Sequence, residues 1–147
     1  MSSVKIGVTG TRSGMNSEQK AKINEYIAEM SVSSLEIHHG DCVGVDIEFA
    51  EMFRNISGAV IVCHPPVKNE LRAWHKSDII LEPKSHFARN RDIVDACDVL
   101  FVVPYQTSHQ STGGTWYTHD YAVKKGVPVI VIWPMSDHIE QLMKQGR

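Results

Sequence analysis

The sequence predicts an α/β domain built on a doubly wound parallel sheet, from two observations. Strand-length apolar runs alternate with helix-length amphipathic segments along the chain. The strand runs are continuously apolar rather than alternating, the mark of strands covered by helices on both faces. With right-handed crossovers, about five strands in the order 3-2-1-4-5 satisfy this pattern.

The elements follow in order. "VKIGVTG" (4–10) reads as a buried strand. "SEQKAKINEYIAEM" (17–30) places Ile23, Ile27 and Met30 on one helical face, with Asn16 or Ser17 as cap. "LEIHHG" (35–40) is a second strand, and "VDIEFAEMFRNI" (45–56) a helix striped by Val45, Phe49, Met52, Phe53 and Ile56. "GAVIVCHPP" (58–66) is a third strand stopped by two prolines. Segment 64–84 is long for a connection, as functional lids and binding loops are. "SHFARNRDIVDAC" (85–97) is helical and "DVLFVVP" (98–104) a fourth strand. "GTWYTHDYAVKKG" (114–126) is a helix ended by Lys124, Lys125 and Gly126. "VPVIVIWP" (127–134) is a fifth strand, and "SDHIEQLMKQ" (136–145) a last helix.

At 147 residues the chain has the size of a single domain spanning 1–147, able to bury about 68–70% of its unfolded surface. A formal net charge of −2 provides no basic field for a nucleic-acid backbone, which disfavours nucleic acid as the partner. The three cysteines form no CxxC pair and accompany no secretory signal, so free thiols in the cytoplasm are expected, with Cys63 and Cys97 in the core. No apolar run approaches the roughly 18 residues of a membrane span.

In an open parallel sheet the ligand sits beyond the carboxyl ends of the strands, where the strand order reverses. Here that point lies between the first and fourth strands, whose loops are "GTRSGMN" (10–16) and "YQTSHQSTGGT" (105–115). The loop after the second strand, "HGDCVG" (39–44), carries two more glycines. Gly/Ser/Thr loops that lead into helices let backbone N–H groups approach an anion, and Arg12 adds a fork for a phosphate. Asp41 either binds a ribose hydroxyl or caps its turn. Trp74 either folds over the site or anchors the long loop. One of Trp116 and Tyr117 packs on the sheet and the other lines the mouth. No His/Cys/Asp set has metal-ligand spacing, so neither a metal nor a cofactor is expected.

The series "VTGTRSG", "HHGDCVGVDIEFAE", "ARNRDIVDACDVLFVVP" and "STGGTWYTHDYAVKKGVPVIVI" resembles the SLOG superfamily of Rossmann-like nucleotide-binding proteins. That group holds the DNA-processing protein A-like domains and the LOG phosphoribohydrolases, and the likeness is to its small single-domain members. The resemblance implies a nucleotide-like small molecule as partner. It assigns Gly10, Thr11 and Arg12 to the first binding loop, Gly40, Gly44 and Asp46 to the second, and Gly113, Gly114 and Thr115 to the third. Arg89 and Asn90 match an Arg-Asn pair; Arg89 either contacts the ligand or holds the helix start in a surface ion pair. Relatives of this fold commonly pair through flanking helices, so a homo-oligomer, at least a dimer, is expected.

The hydrolase branch carries a Glu on the helix after its glycines, where this chain has Thr118. That departure makes binding the first expectation and an N-glycosidase or deoxyribosyltransferase activity the alternative. If the chain is an enzyme, Asp120, His119 and Asp46 are the catalytic candidates. A single-stranded DNA-binding module is the third reading.

Overall fold

The computed structural model describes residues 3–31 and 33–135. The helix expected at 136–145 lies outside them. The described chain runs β1 (Ser3–Gly10), α1 (Ser17–Glu29), β2 (Ser34–His39), α2 (Val45–Phe53), β3 (Ala59–Cys63), a single 3₁₀ turn (Asn69–Leu71), β4 (Ile79–Ile80), α3 (His86–Ala96), β5 (Val99–Val103), α4 (Gly114–Lys125) and β6 (Val129–Val131). All strand pairs are parallel, in the order β4-β3-β2-β1-β5-β6. This is the expected order with one extra edge strand, β4, which lies inside the 64–84 connection and pairs Val62 with Ile79 and Cys63 with Ile80.

Side-chain alternation builds two cores from one sheet. Ile6 and Val8 of β1, with Phe101 and Val103 of β5, point toward α1 and α2, where Ile23, Phe49 and Phe53 are fully buried. Leu100 and Val102 point the other way, against Ile93 and Val94 of α3 and Trp116 and Ala122 of α4. Among the described residues, two helices cover each face.

Local signals decide where the elements begin. Asn16 caps α1: its Oδ1 accepts from the Gln19 N–H at 2.8 Å, and Gln19 Oε1 accepts from the Asn16 N–H at 3.1 Å. The same buried Gln19 donates through Nε2 to the carbonyls of Pro104 and Ile132, tying α1 to the ends of β5 and β6. At the other end of the chain, Gly126 adopts φ 78° and closes α4, as the sequence predicts. Cys42, Cys63 and Cys97 are free and buried.

Register then positions the site. Gly10 of β1 stands beside Val103 of β5 at their carboxyl ends, and the Thr11 N–H donates to the Val103 carbonyl at 3.1 Å. The loops 10–16 and 104–113 must leave the sheet side by side.

Candidate functional site

A cleft of about 230 Å³ opens at this point. Its walls are Val8, Thr9, Gly10, Thr11 and Arg12 from β1 and its loop, Cys42 and Asp46 from the second loop and α2, His86, Arg89, Asn90 and Ile93 from α3, and Gly114 and Thr115 from α4. Eight residues expected at a ligand site therefore converge here: Gly10, Thr11, Arg12, Asp46, Arg89, Asn90, Gly114 and Thr115.

Gly44 makes the convergence possible from outside the cleft. It holds φ 94°, and a side chain there would stand about 2.5 Å from the Arg12 carbonyl oxygen. Only glycine lets the first and second loops touch, and the Val45 N–H then reaches the Thr11 carbonyl at 3.1 Å.

The floor of the cleft is Arg89, 2% exposed. Its guanidinium donates to the carbonyls of Gly40 and His64, to Asn90 Oδ1 at 2.7 Å and to His86 Nδ1 at 3.0 Å. It is a buried fork that fixes the second loop, not the surface ion pair that the sequence left open. Because His86 Nδ1 accepts from Arg89, the neutral ring carries its proton on Nε2. That nitrogen lies toward Gly114, where an added Cβ would meet it at 3.1 Å. Burial, reinforced by Arg89, pushes the His86 pKa down, so the ring enters neutral chemistry as a fixed N–H donor.

Asp46 is the one carboxyl in the cleft. Its Oδ2 accepts from the N–H groups of Gly40 at 3.1 Å and Cys42 at 3.3 Å. Burial raises its pKa from 3.8 to about 6, against the opposing pull of Arg89 and the two amides. Burial likewise raises the Cys42 thiol, with Asp46 adding to it, which keeps the sulfur protonated and a poor nucleophile.

Two groups remain open toward the cleft. The Arg12 side chain is exposed and has no hydrogen-bond or ion-pair partner among the described residues. The α4 N-terminus begins after Gly113, at φ 101°, with no side chain capping it. Its first N–H groups have no partner within the helix.

Other expected residues lie elsewhere. Asp41 is fully buried and does not line the cleft. Its backbone takes φ 59°, and its two carboxylate oxygens are occupied by the Arg72 Nε–H and the His75 N–H, both at 2.9 Å. Gly40 sits beneath the floor against Arg89, and Gly113 is the α4 cap. Trp74 does not cover the site: it is 57% exposed, with the Arg72 guanidinium 3.8 Å above its ring. Thr118 turns inward and donates to the Gly114 carbonyl at 2.8 Å.

Asp120 and His119 are outside the cleft. Asp120 lines a neighbouring cavity of about 360 Å³ with His86, Phe87, Ser111, Thr112, Gly113, Gly114 and Tyr117. His86 and Gly114 belong to both cavities, so the two form one trough. Trp116 packs on the sheet while Tyr117 lines the trough, its ring 4.4 Å from that of half-exposed Phe87. His86 and Cys42 were not singled out in the sequence; the signal for His86 was its place three residues before Arg89 on the same helical face.

Linear spacing does not show which potential ligand side chains the fold brings together. His39, Asp41 and Cys63 meet in the interior, and His109, His119 and Asp120 meet near the trough.

No protein family and no curated protein matches the sequence. Among solved structures, the X-ray structure of TM1055, a structural-genomics target, superposes with a TM-score of 0.57 at 18% identity, covering 94% of this chain and 81% of that one. The likeness shows the fold: a Rossmann-like α/β sheet with helices on both faces. Among the described residues no helix is long and apolar enough to cross a membrane.

Proposed function

We propose that the chain binds a nucleotide or nucleotide-derived small molecule in this trough. The phosphate lies over the α4 N-terminus between Arg12 and His86, and the base lies against the Phe87–Tyr117 ring pair. The observation that carries the reading is the convergence of an uncommitted guanidinium, a fixed imidazole N–H and an uncapped helix N-terminus on one cleft at the strand-order reversal. Half-exposed Phe87 offers a face on which a base can stack. With the motif order, this supports membership of the SLOG superfamily. Three buried free thiols support a reducing, cytoplasmic setting.

Binding is favoured over cleavage because His119 does not line the trough, Asp120 Oδ1 is engaged by the imidazoles of His109 and His119 at its edge, and Thr118 is folded into its own helix. One observation supports an N-glycosidase as second reading. Asp46 faces the cleft with its pKa raised to about 6, the range in which a carboxyl serves as general acid near neutrality.

Native mass spectrometry with a panel of mono- and diphosphates, dinucleotides, ADP-ribose and deoxynucleosides tests both. The binding reading expects an adduct of intact mass on the parent, weakened in Arg12→Ala. Release of free base, abolished by Asp46→Asn, would transfer the chain to the glycosidases. No adduct, or equal retention by Arg12→Ala, contradicts the proposed site.

A further inference from the structure

Among the described residues two sets of side chains bring metal-ligating atoms together, and their surroundings differ. In the buried set, His39 Nδ1 accepts from the Asp41 N–H at 2.9 Å, and both Asp41 oxygens are held by Arg72 and His75. Those donors are already spent.

The second set is open. His109 comes from the loop before α4, and His119 and Asp120 from the second turn of α4. Asp120 Oδ1 lies 2.7 Å from His109 Nε2 and 2.8 Å from His119 Nδ1. All three ligand atoms lie within 4.8 Å of one another. Asp120 has no lysine or arginine partner among the described residues; its ionic contacts are the two imidazoles. His109 and Asp120 are about half exposed, so an ion reaches them from solvent.

The set is also braced. Trp116 is almost fully buried, and the rings of His109 and His119 pack edge-on against it at 4.9 and 5.2 Å. Trp116 Nε1 donates to Gln106 Oε1 at 3.2 Å, which ties the loop carrying His109 to the same indole. Ring orientation, the property that outer-shell groups supply in metal sites, is thus fixed by packing.

From this geometry we propose that His109, His119 and Asp120 bind a divalent first-row transition-metal ion, zinc foremost. Two imidazoles and one carboxylate suit such an ion and not the all-oxygen shells of calcium or magnesium. Bonds of about 2.0–2.2 Å at tetrahedral angles put ligand atoms about 3.3–3.6 Å apart, so each imidazole nitrogen moves less than about an ångström from its present contact with Asp120 Oδ1. The two imidazole protons that now point at Asp120 move to the far ring nitrogens, so the lone pairs face the ion. Water completes the coordination at the edge of the cavity that Asp120 lines, beside Gly113 and Gly114.

The test uses the full chain without a histidine tag and without nucleotide, so its result is independent of the nucleotide site. Zinc is titrated calorimetrically, and Co²⁺ is followed by its visible absorption. The parent is expected to take up one ion per chain and to give the intense spectrum of a low-symmetry four-coordinate Co²⁺. His109→Ala and Asp120→Asn, both exposed and checked for folding by circular dichroism, are expected to lose at least tenfold in affinity. His75→Ala tests whether other histidines suffice, and its affinity should match the parent. Absence of stoichiometric uptake overturns the proposal, as does parental affinity in folded His109→Ala and Asp120→Asn.

Discussion

Two polar regions lie beyond the carboxyl end of β2, and each buries an aspartate near an arginine. Under the 64–84 segment, Asp41 holds Arg72 and the His75 backbone, His39 Nε2 meets Ser77 Oγ at 2.8 Å, and Ser77 meets His75 Nδ1 at the same distance. The side chains of Asp41, His39, His75 and Ser77 all meet hydrogen-bond partners of the same chain there. At the β1–β5 cleft, Arg89 and Asp46 are also buried and hydrogen-bonded, and they form a floor beneath groups that have no such partner: the Arg12 side chain and the α4 N-terminus. Polarity and burial are shared by both regions. The uncommitted Arg12 fork and the uncapped helix N-terminus are what separate the proposed binding site from the scaffold.

The largest effect is expected at the floor. Arg89→Met leaves the buried carbonyls of Gly40 and His64 without a donor and should cost about 3–4 kcal/mol, read from urea denaturation. If the loss is below about 1 kcal/mol, water replaces the guanidinium and the floor is not structural. Next, Arg12→Ala should weaken nucleotide binding about 10- to 100-fold, one lost charged hydrogen-bonding group, while leaving stability within about 0.5 kcal/mol. Asp41→Asn should do the reverse. Asparagine tolerates the φ of 59°, but its amide nitrogen replaces one of the two accepting oxygens, so one hydrogen bond and the carboxylate charge opposite Arg72 are lost, about 1–3 kcal/mol of stability with nucleotide affinity unchanged.

Acid sharpens the comparison. Burial holds His39 at about 3 and His64 at about 4, below the ordinary 6.5. Between those values and 6.5 the unfolded chain binds protons that the native state refuses. Stability is therefore full above pH 6.5 and falls as the pH drops. Asp46 acts oppositely: between 3.8 and about 6 the native state keeps a proton that the unfolded chain has released. Two imidazoles outweigh one carboxyl, so stability should decline on acidification from pH 6 to 5 by about 1.4 kcal/mol per pH unit for each net proton. A flat profile over that interval would mean that the histidines titrate normally. The smallest effect is expected for Trp74→Ala, which should leave nucleotide affinity unchanged.

How much of this was legible in the sequence follows from range. Strands and helices were legible because burial on both faces writes continuous apolar runs, and the strand order followed from crossover handedness. Strand β4 was not: Ile79 and Ile80 are exposed, two residues long, and held by pairing with Val62 and Cys63 rather than by any local pattern. Glycine-rich loops named the first, second and third walls of the cleft. They did not reveal that Asp41 turns away, because a left-handed backbone at a non-glycine residue leaves no trace in composition. The meeting of His109 with His119 and Asp120 depends on how one loop folds back on α4 and has no linear spacing at all.

The most direct measurement of the central claim is the ¹⁵N–¹H spectrum of the protein titrated with nucleoside 5′-monophosphates. Nucleotide in the trough should shift the amides of Thr11, Arg12, His86, Phe87, Gly114, Thr115 and Tyr117, with those of Ala73 and His75 in the closed region unmoved. Shifts centred on residues 72–77, or none at any nucleotide concentration, would contradict it.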